Sequence, residues 1–434
     1  MILNKKINTN NSFLFFLCTF LLIFLSHFIM VFFSFKSLSI PIFLVSSFIS
    51  ILFLDEIFKF ELNFKYKFFI ILFLVIIILS STHSFLFYSD SKPIKSLLLL
   101  SIFLNSIVIF NFFKNFTFLK ILNLFKFLFI VSLILLWVHF FYDIQLFNYS
   151  QNLKPVFPFR EPSHFALTFG AICVPLIVFT SLRFNLIIMI NLFFFALYFP
   201  NYTFLIFGLI CFLIFLFKTN INILLKFSLI IILSIPFLNF NEFINIDYFI
   251  SRTPFAGSHS NEQSFSLLIF KQGWEFIYLN LINSNFLGLG FQMMGSEKMH
   301  YGEIFYLIIN TTKSIYGHNH EDGSFIMSKL LVEFGFIGII ISIIYVSFII
   351  KFLKNLNSNL KKIKLRSKSV DDDFFKVFFC ELIIFSYLVN FFIRGIHYFT
   401  PQLIFVFAAV IFLISIRLKD KNLLFFLFID NQTL

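Results

Sequence analysis

A chain of 434 residues that is 59% hydrophobic, 22% aromatic and only 12% charged, with a mean hydropathy of +0.95, carries more apolar surface than a soluble domain can bury. This excludes a soluble globular enzyme and points to a multispanning membrane protein. The formal charge of +12 sorts by membrane side, as shown below, which makes it a topology signal and argues against a nucleic-acid partner.

In chain order, apolar runs of roughly 17 to 25 residues recur between short polar breaks, the length a helix needs to cross about 30 Å of hydrocarbon. They predict about twelve spans, at 13–33, 38–54, 68–88, 96–113, 121–142, 163–182, 184–199, 201–217, 222–240, 326–350, 374–395 and 399–417. The first run is longer than a signal-peptide core and is followed by no small-residue cleavage site, so it is expected to be a retained helix. The 78 phenylalanines, among abundant Ile, Leu, Asn and Lys, resemble the bias of an AT-rich genome and say little about function. Cys18, Cys173, Cys211 and Cys380 all fall inside expected spans, against a disulfide framework or a metal knuckle.

With Lys5 and Lys6 inside, most of the 33 Lys and Arg fall on the cytoplasmic side, as the positive-inside rule requires. The run KKIKLRSK at 361–368 then reads as a cytosolic-face anchor, and the acidic DDD at 371–373 as the start of the next helix. The cytoplasmic breaks hold no Gly-rich phosphate loop and no room for a nucleotide-sugar domain. A substrate handled outside must therefore arrive already activated, and a membrane lipid is the obvious carrier.

Two outer breaks stand out, 143–162 and 241–325. The first leads into PFREPSHFALTFG at 158–170, where Arg160 and Glu161 precede Pro162 and Ser163. An acidic residue and a proline are ordinary helix-start grammar. Arg160 is not, because a cation beside a positive helix end is unfavourable unless an anion is shared, and a guanidinium there is a ready phosphate site. In the second break, NEQSFSLLIFKQGWEFIYLN at 261–280 predicts an amphipathic surface helix with Phe265, Leu268, Ile269, Trp274 and Phe276 near one side. SRTPF contributes Arg252, and FLGLGFQ contributes Gly288 and Gly290, which suit a tight turn.

IYGHNHEDGSFIMSKLLVEFGFIG at 315–338 crowds His318, His320, Glu321 and Asp322 at one membrane-edge turn. Histidines two apart are poor helical metal geometry and no H-E-x-x-H occurs, so no metal is expected. Acid–base work fits better, with a solvated helix cap as the plain alternative. Lys329 and Glu333, four apart, are expected to pair structurally. Glu381 lies mid-span, where a carboxylate must face protein or water. The last outer break, RGIHYFTPQ, adds Arg394 and His397.

Together, EPSHFA at 161–166, LGLGF at 287–291 and GHN…DGSF…EFGFIG at 317–338 resemble the O-antigen polymerase family, relatives of the O-antigen ligases. The resemblance implies an all-α polytopic integral membrane protein with about twelve transmembrane helices and a GT-C-like glycosyltransferase architecture. The whole of 1–434 would be a single integral membrane domain carrying a large periplasmic loop at 241–325. It implies a bacterial inner-membrane enzyme facing the periplasm that transfers a growing glycan from undecaprenyl pyrophosphate onto a new lipid-linked repeat unit, with no metal and no cofactor. Flippase and chain-length regulator proteins would be its partners.

Mapped onto this chain, Arg160, Arg252 and Arg394 become candidates for the pyrophosphate, Glu161, His318 and Asp322 for the base, and His164, His320 and Trp274 for the glycan. His318 stands further from Glu333 than the ligase pattern expects, and Ser324 occupies the ligase position, a departure that favours polymerase. A ligase delivering glycan to lipid A core and a transporter of lipid-linked oligosaccharides remain the alternatives.

Overall fold

Apolar segments in lipid must satisfy their backbone hydrogen bonds internally, and a helix does so within one segment. The computed structural model describes residues 9–35, 37–58, 75, 78–79, 82, 96–142, 156–199, 201–219, 265–312, 320–365, 372–395 and 397–417. The expected span at 222–240, most of that at 68–88, Arg252 and His318 lie outside these residues. Among the described residues all regular structure is helical. The chain is a multi-pass helical membrane protein. Among the described residues, six helices are long and apolar enough to cross a membrane, and four apolar helices are shorter.

The helices are α1 (Thr9–Phe20), which continues through a π-helical turn (Leu21–Leu25) into α2 (Ser26–Phe32), then α3 (Ser39–Leu52), α4 (Leu54–Phe58), α5 (Ser96–Asn115) and α6 (Phe118–Phe141). They are followed by α7 (Pro162–Phe179), α8 (Leu182–Tyr198), α9 (Tyr202–Lys218), α10 (Phe265–Asn283), α11 (Glu303–Thr312) and α12 (Ile326–Phe334). The last are α13 (Phe336–Leu365), α14 (Asp372–Ser386), α15 (Leu388–Phe392) and α16 (Pro401–Arg417). Helix α7 is central: 72% of its apolar window is buried, against 17% for α13, which lies at the periphery. Around α7 pack α6, α8, α9 and α14, while α5 packs between α3 and α16.

One end of the bundle is fixed by charges that meet helix termini. Lys218 Nζ donates to the carbonyls of Ile177 (3.0 Å) and Thr180 (2.6 Å) at the end of α7, where a cation complements the orphan carbonyls. Asp372 stands in the first turn of α14, as its sequence suggests. Its carboxylate also accepts from Phe118 N at 2.9 Å, starting α6, and pairs with Lys376 at 3.0 Å. Because α6 and α14 begin at this end and α7 finishes there, the mouth of α7 and the close of α15 share the opposite end. The four cysteines are free and buried.

Two expectations are corrected. The run 326–350 is not one span: it breaks at Gly335 (φ 52°) between α12 and α13. The LGLGF stretch causes the break, because Leu289 N donates to Val332 O (2.9 Å), Gly290 N to Glu333 O (2.9 Å), and Phe336 N to Phe286 O (2.7 Å). The carbonyls ending α12 are thus met from outside the helix. Residues Ile326–Glu333 are buried in protein, so α12 faces no lipid.

In α10, Leu268, Ile269 and Phe276 are buried as expected, but Phe265 is 38% and Trp274 44% exposed. At 3.6 residues per turn Trp274 falls opposite Phe265 and Phe276, and Phe265 sits at the helix start, where no turn precedes it. The segment from α10 to α12 is a packed unit. Phe276, Leu289, Met293, Met294, Met299, Phe305 and Val332 form their own core. Glu275 caps α11 by accepting from Ile304 N (3.0 Å) and Phe305 N (3.3 Å).

A methyl group on Gly335 would run into Phe286 O and meet the Gly288 amide at 2.5 Å, on a backbone that L-residues avoid. Gly335→Ala is expected to cost roughly 1–3 kcal/mol in strain alone, read as a lower melting temperature of the detergent-purified protein. An unchanged melting curve would contradict the interlock.

Candidate functional site

At the mouth of α7, Glu161 is the extended residue before the helix and Pro162 opens the first turn. The proline obeys helix-start grammar, whereas the Glu161 side chain does not cap its own helix. Glu161 Oε2 instead accepts from Ser163 Oγ (3.1 Å) and from Arg394 Nη2 (3.1 Å), and it lies 3.8 Å from His164 Nε2. Arg394 is presented by the turn that closes α15, where its amide reaches back to Val389 O at 2.9 Å.

The same turn reaches the second sequence cluster. Gly395 N donates to Ser324 O at 2.9 Å, and His397 Nδ1 is paired with Asp322 Oδ1. Gly323 and Ser324 are consecutive left-handed residues, which turns the chain sharply and brings Ser324 Oγ to Ile269 O in α10 at 2.6 Å. Lys329, 3% exposed, donates to Glu321 O at 2.6 Å and lies 3.5 Å from the buried Glu333. Its ammonium also sits over the Tyr398 ring, 5.5 Å from the centroid. A polar cavity of about 30 Å³ is lined by Ser37, Ser39, Gln292, Met294, Glu321, Asp322, Lys329, His397 and Phe399. That volume accommodates water-sized groups and not a sugar ring.

Both carboxylates are held ionised. The His164 charge is the largest influence lowering Glu161; burial opposes it, and Arg394, the Ser163 hydroxyl and Arg160 add to the lowering. For Asp322 burial pushes upward most strongly, but the charge and hydrogen bond of His397, with Lys329 and His320, overcome it and leave the group below its usual range. Each carboxylate therefore sits beside an imidazole, the pairing a general base uses.

The structure brings Glu161, His164, Asp322 and Arg394 together, with His320 close enough to act on Asp322. Arg160 is exposed at the α7 mouth and reaches the cluster through its field on Glu161. Trp274 packs instead on Phe325, with ring centroids 5.2 Å apart, and is not among the residues lining the polar cavity. Lys329 pairs with Glu333 as expected, yet it also lines the cavity. That second role is hidden in sequence by the i, i+4 spacing that explains the pair. His397 is visible beside Arg394, but nothing in one sequence couples it to Asp322. Among the described residues no group of three or more His, Cys, Asp or Glu could hold a metal ion. No protein-family model, curated protein or solved structure matches the chain.

The depressed carboxylates carry a sign. A group whose folded pKa lies below its unfolded value contributes stability above the unfolded value, near about pH 4 for Asp and Glu, and loses it as pH falls through the folded pKa. The melting temperature in detergent is expected to be level near neutrality and to fall as pH drops below about 4. Glu161→Gln and Asp322→Asn should each shallow that fall. Equal slopes in wild type and both variants would exclude these two groups as its source.

Proposed function

We propose that the chain is an O-antigen polymerase of the bacterial inner membrane, with about twelve spans in a GT-C-like architecture and its polar end toward the periplasm. The observation that carries this reading is the Glu161–Arg394 contact at 3.1 Å across 233 positions of sequence. It joins the EPSHFA mouth to the turn that holds Asp322 through His397. EPSHFA and DGSF are thus parts of one acid–base and cationic cluster at one end of an apolar bundle.

Transfer of a glycan from a lipid diphosphate needs cations for the departing phosphates and a base for the acceptor hydroxyl. Arg394, Arg160 and Arg252 serve the first need, since a guanidinium meets phosphate oxygens two at a time. The pairs Glu161–His164 and Asp322–His397 serve the second, with His318 a further candidate. His320 offers polar surface to sugar. The substrates are undecaprenyl pyrophosphate-linked oligosaccharides, and a flippase and a chain-length regulator act beside the enzyme.

The test is the surface glycan profile of a deletion strain complemented with wild type, Arg394→Ala, Arg394→Lys, Arg160→Ala and Arg160→Lys at matched expression. Loss of the protein should leave lipid A core capped with one repeat unit. Each alanine variant should lower polymer by about 100-fold or more, and each lysine variant should retain part of it. Uncapped core with long lipid-linked chains accumulating would instead assign a ligase, and an unchanged ladder would sink the enzyme reading in favour of transport.

A further inference from the structure

Behind the mouth of α7 lies a second histidine, on the first span, to which the site described above gives no role. His27 is 0% exposed, and neither of its ring nitrogens has a hydrogen-bond partner. Its ring lies against Phe159, with centroids 4.1 Å apart, and its centroid is 6.5 Å from that of His164. His164 shows the same pattern on one side: Nε2 approaches Glu161 at 3.8 Å, while Nδ1 is buried and unpartnered.

A buried imidazole with no partner carries a desolvation cost that packing does not explain. Phenylalanine, which the chain uses 78 times, would stack on Phe159 equally well and leave no nitrogen unmet. The backbone adds an independent mark. The π-helical turn Leu21–Leu25 immediately precedes α2, with Ser26 Oγ bonded to Leu22 O at 2.7 Å, and such turns concentrate at functional positions. A direct nitrogen-to-nitrogen hydrogen bond would bring the two centroids to about 5 Å, so at 6.5 Å a link between the rings has to run through a bridging water. The ionisable groups acting on His164 are Glu161, Arg394, His397 and Asp322, and the one acting on His27 is His164.

We infer that His27 is a positioning residue that makes His164 the base of the site, by fixing the tautomer of the His164 ring from its inner side. This rests on the glycosyl-transfer reading and chooses between its two carboxylate–histidine pairs. The acceptor O–H bond breaks as its oxygen bonds to the anomeric carbon, and the electron pair of the old C–O bond leaves with the diphosphate. His164 Nε2 takes the proton, Glu161 beside it stabilises the imidazolium, and neutral His27 accepts from the His164 Nδ1–H through one bridging water. After product departs, the proton leaves at the Glu161 edge.

The experiment compares wild type, His27→Phe and His27→Asn, purified into nanodiscs. Turnover is measured with lipid-linked repeat units extracted from the deletion strain, and histidine ¹⁵N NMR is assigned with His164→Asn. Turnover of His27→Phe should fall by at least about tenfold with KM unchanged, its pH–rate profile should move, and the His164 ring signals should change tautomer balance. Wild-type turnover in His27→Phe overturns the inference. So does a loss of turnover with an unmoved pH profile and unchanged His164 signals, because packing alone would produce it. A wild type that does not polymerise while Arg394→Ala behaves identically overturns the functional reading, and the His164 signals then decide the coupling by themselves.

Discussion

A charge at the edge of an apolar bundle has to be met by protein, because lipid cannot meet it, and the Glu161–Arg394 pair is where this constraint gathers the molecule. With both side chains about 31% exposed, the pair contributes only about 1 kcal/mol of stability. Its importance is positional. It fixes the turn after α15 against the mouth of α7, and Gly395 N to Ser324 O and His397 to Asp322 carry the link onward. Ser324 Oγ to Ile269 O completes it into α10. Segments from the middle, the α10–α12 unit and the last part of the chain are thereby held around one polar end.

The unit built from α10, α11 and the LGLGF segment supplies the rigid side of that arrangement. Its small core of Phe276, Met293, Met294 and Phe305 reaches into α12 through Val332. The break at Gly335 exists because LGLGF occupies the place where the helix would continue. Lys329 and Glu333 belong to this platform. They are 3% and 1% exposed, and removal of one partner from such a pair costs about 3–5 kcal/mol. The contrast with the half-buried Glu161–Arg394 pair is a division of labour: the buried ion pair holds shape, and the half-buried one presents charge.

Two carboxylate–histidine pairs facing one end give the site a formal symmetry that burial breaks. His397 and Asp322 border a water-sized polar cavity, together with Lys329 and Gln292. His164 and Glu161 are backed by an apolar wall of Phe159 and Phe165, in which His27 is embedded. Chemistry that needs a proton held away from water is better served on the second side, and chemistry that needs exchange with water on the first.

Much of the architecture was legible in the chain itself, because hydropathy over about 20 residues directly reports the cost of putting backbone into lipid. The helices at 96–115, 118–141 and 162–179 follow from it, as does the helix start at Pro162 and the acidic first turn of α14. Local spacing also disclosed Lys329 with Glu333. The interruption of 326–350 was not legible, since Gly335 in an apolar run reads as a tolerated residue until the LGLGF loop packs against it. Nor were the partners of Arg394, His397 and His27: each depends on contacts between segments far apart in sequence. The sequence by itself determined the membrane class and the residues able to carry charge at its edge, through local periodicity and composition. Tertiary structure alone decided which of them meet, because a charge-to-charge contact depends on distances that no spacing along the chain encodes.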